Sequence, residues 1–144
     1  MDTYRRLLGS DYNKVKLSVL WLFAMLNYIY ADILTLMDST ALNEILAGAV
    51  GEGVVITPTS LFFGAILMEI PIAMVVLSLI LRRNINRWAN IVAGAIKTLA
   101  VGASAFVGEP ALYYVFFVVI EVAISLYIVW VAWTWTSTDP VTAN

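Results

Sequence analysis

The chain has 144 residues, 62% of them hydrophobic and only 12% charged. Soluble domains average roughly 45–50% apolar and 25% charged residues, so the excess belongs in lipid rather than behind a water-facing shell. With no Cys and no His, disulfides, thiol redox chemistry, thiolate or imidazole metal sites and haem on such ligands are excluded. A net charge of −2 with no basic surface gives no sign of nucleic-acid binding.

Four apolar runs are long enough for a membrane-spanning helix, which takes about 20 residues. The predicted fold is therefore all-α: a polytopic membrane protein of one domain, residues 1–144, with spans at about 17–37, 60–81, 88–107 and 111–133. The first run follows a basic segment, as a signal peptide would. It is too long for a typical apolar signal core, lacks an Ala-x-Ala exit and contains Asn27 and Asp32, so it reads as a retained span.

Residues 38–59 form the first connection. Thr40–Val50 suits a short helix on the membrane surface, capped by Ser39 or Thr40 and ended by Gly51 and Gly53, with Pro58 helping to start the second span. Such a segment serves either as a connector with an apolar face or as a lid over an outward-facing cavity. Pro71 in the second span removes an N–H, which either kinks the helix for packing or frees a carbonyl for a site. Between the second and third spans lies RRNINRW, residues 82–88. Its arginines set topology or meet anionic headgroups, and Asn84, Asn86 and Asn90 are placed to cap helix ends. In the third run Gly94, Ala95, Gly102 and Ala103 permit close helix approach. The tail, 136–144, reads as disordered.

Sidedness follows from the basic residues. Arg5, Arg6, Lys14 and Lys16 precede the first run, Arg82, Arg83 and Arg87 separate the second from the third, and the other connections have none. Positive residues mark the cytoplasmic side, so the expected location is the cell membrane, multi-pass, with both termini cytoplasmic. Trp21, Trp88, Trp130, Trp133 and Trp135 then sit near the cytoplasmic ends, as an aromatic belt would.

The eighth basic residue, Lys97, lies in the middle of the third run. A central lysine costs about 2.5–3.5 kcal/mol on insertion scales, so something must stabilise it. Glu69 and Glu121 match its depth, and Asp32 lies nearer the external end with Asn27 at mid-depth. Helical spacing puts Asn90, Lys97 and Ser104 on one face, Tyr114, Glu121 and Ser125 on another, and Tyr28, Asp32 and Thr35 on a third. These stripes are expected to meet, with Lys97 paired to Glu69 or Glu121. Three ionised carboxylates against one ammonium leave two charges over, so carboxylates are protonated, a cation binds, or water fills a cavity. The candidate ligand-binding residues are Asp32, Glu69, Lys97, Glu121, Asn27, Tyr28 and Tyr114; no cofactor is indicated.

LNYIYADIL (26–34), ILMEIPIAMVVLSLIL (66–81), NINRWANI (84–91) and FFVVIEVAISLYIVWVAW (116–133) resemble an uncharacterised family of small prokaryotic four-helix membrane proteins. The resemblance covers nearly the whole chain and implies the same fold without an activity. It marks Asp32, Arg87, Trp88 and Glu121 as family positions and does not mark Glu69. A more distant likeness to DoxX-like four-helix proteins is also present, but redox roles suggested for some of those gain no support in a chain without Cys and His.

Three functional classes fit these features. The first is binding or transport of a cation, a proton or a cationic small molecule at the buried carboxylate/lysine site. The second is an accessory or structural membrane subunit with a stabilising polar core. The third, an intramembrane enzyme on a lipid-like substrate, lacks a nucleophile–base pair, a metal motif and a nucleotide loop. The expected partners are the lipid bilayer, a small cationic ligand or ion, and a second copy or larger membrane complex.

Overall fold

A computed structural model describes residues 9–50, 54–106 and 110–135. The fold is all-α, with five helices among the described residues: α1 (Gly9–Met37), α2 (Ser39–Leu46), α3 (Pro58–Ile80), α4 (Arg83–Ser104) and α5 (Leu112–Trp133). A two-residue antiparallel ladder, β1 (Ala49–Val50) and β2 (Val54–Val55), separates α2 from α3. Three helices are long and apolar enough to cross a membrane: α1 over Tyr12–Met37, α3 and α5. At 22 residues α4 has the length, roughly 33 Å against a hydrocarbon core of about 30 Å, but its Arg, Asn and Lys residues keep it out of that apolar class.

The long helices alternate in direction. Ser18 of α1 donates to the Val75 carbonyl of α3 at 2.7 Å, Trp21 of α1 meets Asn90 of α4, and Arg87 of α4 reaches the Trp133 carbonyl of α5. One core cluster, with Leu17, Trp21, Met74 and Ile128, fills the end nearest the α3–α4 turn; a smaller one, with Ala24, Tyr28, Val101 and Val118, lies further along.

Several boundaries differ from the sequence reading for local reasons. Helix α1 extends back to Gly9, because nothing between Gly9 and Leu17 breaks a helix once the chain packs; Lys16 then sits 4.9 Å from the Tyr127 ring centre. Most of RRNINRW belongs to α4 itself, leaving only Leu81 and Arg82 between helices. The surface helix is capped by Asp38, whose carboxylate accepts from the Thr40 N–H at 2.9 Å. It ends at Leu46, ahead of Gly48, whose φ of +82° suits glycine. Gly51 and Gly53, the expected terminators, lie outside the described residues, as do Arg5, Arg6, the turn at Glu109 and the 136–144 tail. Pro58 does start α3, behind a reciprocal Thr57–Ser60 capping box.

Two of the five tryptophans are not belt residues. Trp21 and Trp135 are buried in the core, whereas Trp88, Trp130 and Trp133 are exposed. Of the two glycines in α4, only Gly94 makes a close approach. A Cβ there would lie 2.7 Å from Val129 Cγ2 and 3.2 Å from the Ser125 carbonyl of α5, while one at Gly102 would meet nothing within 4 Å. Gly94→Val is therefore expected to lower stability by about 1–3 kcal/mol relative to Gly102→Val. Denaturation midpoints of the two variants in the same detergent check this; equal midpoints would contradict the close helix contact.

Candidate functional site

Helix α4 is apolar outside and polar inside. Asn86, Asn90 and Lys97 are buried, while Ile85, Trp88, Val92 and Leu99 are exposed, Leu99 by 74%. Two polar assemblies lie along its inner face.

The first, nearest the α3–α4 turn, is a closed network of fully buried groups. Trp21 Nε1 donates to Asn90 Oδ1 at 2.7 Å, and Ser78 Oγ donates to the same oxygen at 3.3 Å. Asn90 Nδ2 donates to the Asn86 side chain at 2.6 Å and to its carbonyl at 2.8 Å. Asn86 Nδ2 in turn donates to the Ser78 carbonyl at 2.6 Å, capping the last turn of α3 as the sequence suggested for an asparagine there. Trp21 and Ser78 were not legible as members, because Trp21 reads equally well as a belt residue and Ser78 is an isolated hydroxyl in an apolar run. Beside this network Arg83 and Arg87 donate to the Trp135 and Trp133 carbonyls, each at 3.1 Å, and so cap the end of α5.

The second assembly surrounds a cavity of about 240 Å³ between α1, α3, α4 and α5. Tyr28, Asp32, Lys97, Ser104, Tyr114 and Glu121 line it, which unites the three predicted stripes. Lys97 is 2% exposed, and its ammonium lies 4.0 Å from the Tyr28 ring centre and 3.9 Å from Met68 Sδ. A desolvated cation–π contact contributes about 2 kcal/mol, which offsets part of the cost of a central lysine. Burial of the ammonium is the dominant effect, and Glu121 and Asp32 offset a further part of it as opposite charges acting across the cavity. Glu121 is 5% exposed; Asp32 is exposed at the cavity's edge.

The expected direct pairing of Lys97 with a carboxylate is not present: among the described residues no carboxylate oxygen comes within the 4.0 Å of an ion pair with it. Tyr28 occupies the near side of the ammonium instead. Among the described residues five buried polar atoms are left without a hydrogen-bond partner: Glu121 Oε1, Tyr28 OH and Ser125 Oγ on α1 and α5, and the Nε atoms of Arg83 and Arg87 at the far end of α4. Buried polar groups in folded proteins are overwhelmingly paired, so the open Glu121 oxygen at the cavity wall is the acceptor a bound donor would meet. At the other end of the cavity Tyr114 OH donates to Ser104 Oγ at 2.8 Å, and Ser104 donates to the Val101 carbonyl at 2.7 Å.

Two predicted site residues are not brought together with the rest. Glu69 lies on the exposed side of α3 and lines no cavity found here. The inward face of α3 runs through Gly64, Leu67 and Met68, one helical turn of side chains, and the next residue points about 100° away. Asn27 is half-buried and donates back to the Phe23 carbonyl at 2.8 Å within α1, outside the cavity lining. Met68, which the sequence reading passed over, contacts the ammonium. Pro71 is fully buried, and the carbonyl whose usual donor it removes belongs to Leu67, a cavity residue.

Comparison with known proteins adds one finding. A sequence model described as a family of unknown function, DUF6326, matches residues 7–142. The chain belongs to that family. Membership in DUF6326 agrees with the resemblance drawn from the four sequence stretches and brings no activity with it. The DoxX-like likeness is not shown. No curated protein and no solved structure matched the chain.

Proposed function

We propose that this protein is a four-span membrane protein, both termini cytoplasmic, that binds or transports a small cation, either a proton or a small amine, in the Lys97–Glu121 cavity. The inside-out pattern of α4 supports a fourth span, because apolar exposure with buried Asn and Lys is what lipid selects. Lys16, Arg83 and Arg87 gather at one end of the helices, which supports placing that end in the cytoplasm.

One observation carries the functional reading: an ammonium and two carboxylates share one cavity in which Glu121 Oε1 has no hydrogen-bond partner. The contrast with the Trp21–Asn90–Asn86–Ser78 network is instructive. The side chains of that network satisfy one another, whereas Glu121 Oε1 at the cavity wall is left open. That difference weighs against a purely structural polar core. Among the described residues no group of three acidic side chains could hold a metal ion, which favours a monovalent or organic cation over a divalent one.

The test is flux into proteoliposomes, with a pH-sensitive dye inside for protons and labelled methylammonium for amines. Glu121→Gln is expected to remove the protein-dependent flux and Asp32→Asn to reduce it. If both variants match wild type, or wild type moves neither probe and binds no methylammonium, the proposal fails.

A further inference from the structure

Glu69 sits at the middle of the 23-residue α3 and faces outward. Phe62, Ile66, Ile72 and Val76 surround it on the same exposed side. A carboxyl group at that depth facing acyl chains is costly, and ionisable groups in spans nearly always face protein or a water-filled cavity. The first half of α3 is also the barest part of the long helices: no residue before Pro71 is buried by the rest of the chain.

We infer that this face of α3 is covered by a second copy of the chain, with the two Glu69 side chains meeting across a two-fold axis along the membrane normal. Identical copies insert in the same orientation, so such an axis brings α3 against α3 with both Glu69 residues at one depth. One carboxyl then donates to the other through a proton held between them, and neither meets lipid. The chain has no outward cation at this depth to offer a different arrangement, because Lys97, its only mid-span ammonium, is buried in its own cavity. Ala65 and Ala73, one turn before and one turn after Glu69, are small enough to let the two helices close up around the pair.

Energy transfer between donor- and acceptor-labelled copies, followed as vesicles are diluted with lipid, reads the association directly. Wild type is expected to dimerise. Glu69→Gln, which keeps a donor and an acceptor, retains the dimer, and Glu69→Leu weakens association about 5- to 30-fold, the effect of one interhelical polar pair. The chain has no cysteine, so a single Ala73→Cys reports proximity by disulfide cross-linking in membranes, with Val119→Cys on the outer face of α5 as the control. Ala73→Cys is expected to cross-link and Val119→Cys not to. A monomeric wild type, equal association of Glu69→Leu and wild type, or cross-linking at position 119 in place of 73 would each overturn the inference.

Discussion

Replacing Lys97 by Met is expected to destabilise the protein by about 1–3 kcal/mol, and adding Glu121→Gln to it to restore most of the loss. The methionine keeps the length and apolar stem of the side chain, so little packing is lost. What disappears is the positive charge over the Tyr28 ring and opposite Glu121. Breaking a direct buried ion pair costs about 3–5 kcal/mol; Lys97 acts on Glu121 across the cavity without touching it, so the loss is smaller, about 1–3 kcal/mol. Asp32 is exposed at the cavity's edge rather than buried beside the ammonium, so it does not share this penalty. Neutralising Glu121 in the second step removes the uncompensated charge. The double-mutant cycle, measured by denaturant titration in mixed micelles, should therefore show a coupling in the upper part of the roughly 0.5–3 kcal/mol range of residues coupled through a shared cavity. A loss below about 1 kcal/mol for Lys97→Met, within reach of an ordinary substitution, would show that the ammonium does not compensate Glu121.

The second large effect is expected at Asn90. Asn90→Leu removes the acceptor for both Trp21 Nε1 and Ser78 Oγ, in a region where all four side chains are fully buried. Each stranded donor costs about 1–3 kcal/mol. The membrane-unfolded reference state finds other partners for polar groups, which pulls such values toward the low end, so a total of roughly 2–4 kcal/mol is expected. Trp21 fluorescence supplies a second readout, because an indole that loses its hydrogen bond shifts its emission to the blue. Asn84→Leu, at an exposed position two residues from Asn86, is the control and should leave the midpoint nearly unchanged. Equal midpoints for the Asn90 and Asn84 variants would show that the network contributes nothing to stability.

The parts of the site that were legible in sequence are those with a periodic polar stripe. Asn90, Lys97 and Ser104 recur every seven residues, and Tyr114, Glu121 and Ser125 share a face, so helical geometry alone sets which way they turn. Both stripes point inward in the structure. Direction around α3 was not legible. That helix is apolar on all sides, so Glu69 has no polar neighbour at helical spacing to mark its face, and its depth alone suggested Lys97 as a partner. Asn27 was misplaced for a different reason: a side-chain amide can satisfy itself on the carbonyl one turn back, which no pattern in the sequence reveals. Nor could spacing foresee that an aromatic ring, rather than a carboxylate, would take the near side of the lysine.

The polarity of α4 has a consequence for biogenesis. On insertion scales one central Lys cancels roughly seven residues of the Leu or Ile class, more than α4 can set against it once Asn86, Asn90 and its arginines are counted. As a fourth span, α4 would not partition from the translocon by itself. Only Leu81 and Arg82 separate it from α3, whose apolar surface is large enough to draw both in as a hairpin. Asn86 and Asn90 can then exchange water for Ser78 and Trp21 on arrival. On the proposed four-span reading, the ribosome would have to deliver α1 and α3 before α4 found a home in the bilayer, which would give the order of the helices along the chain a kinetic meaning.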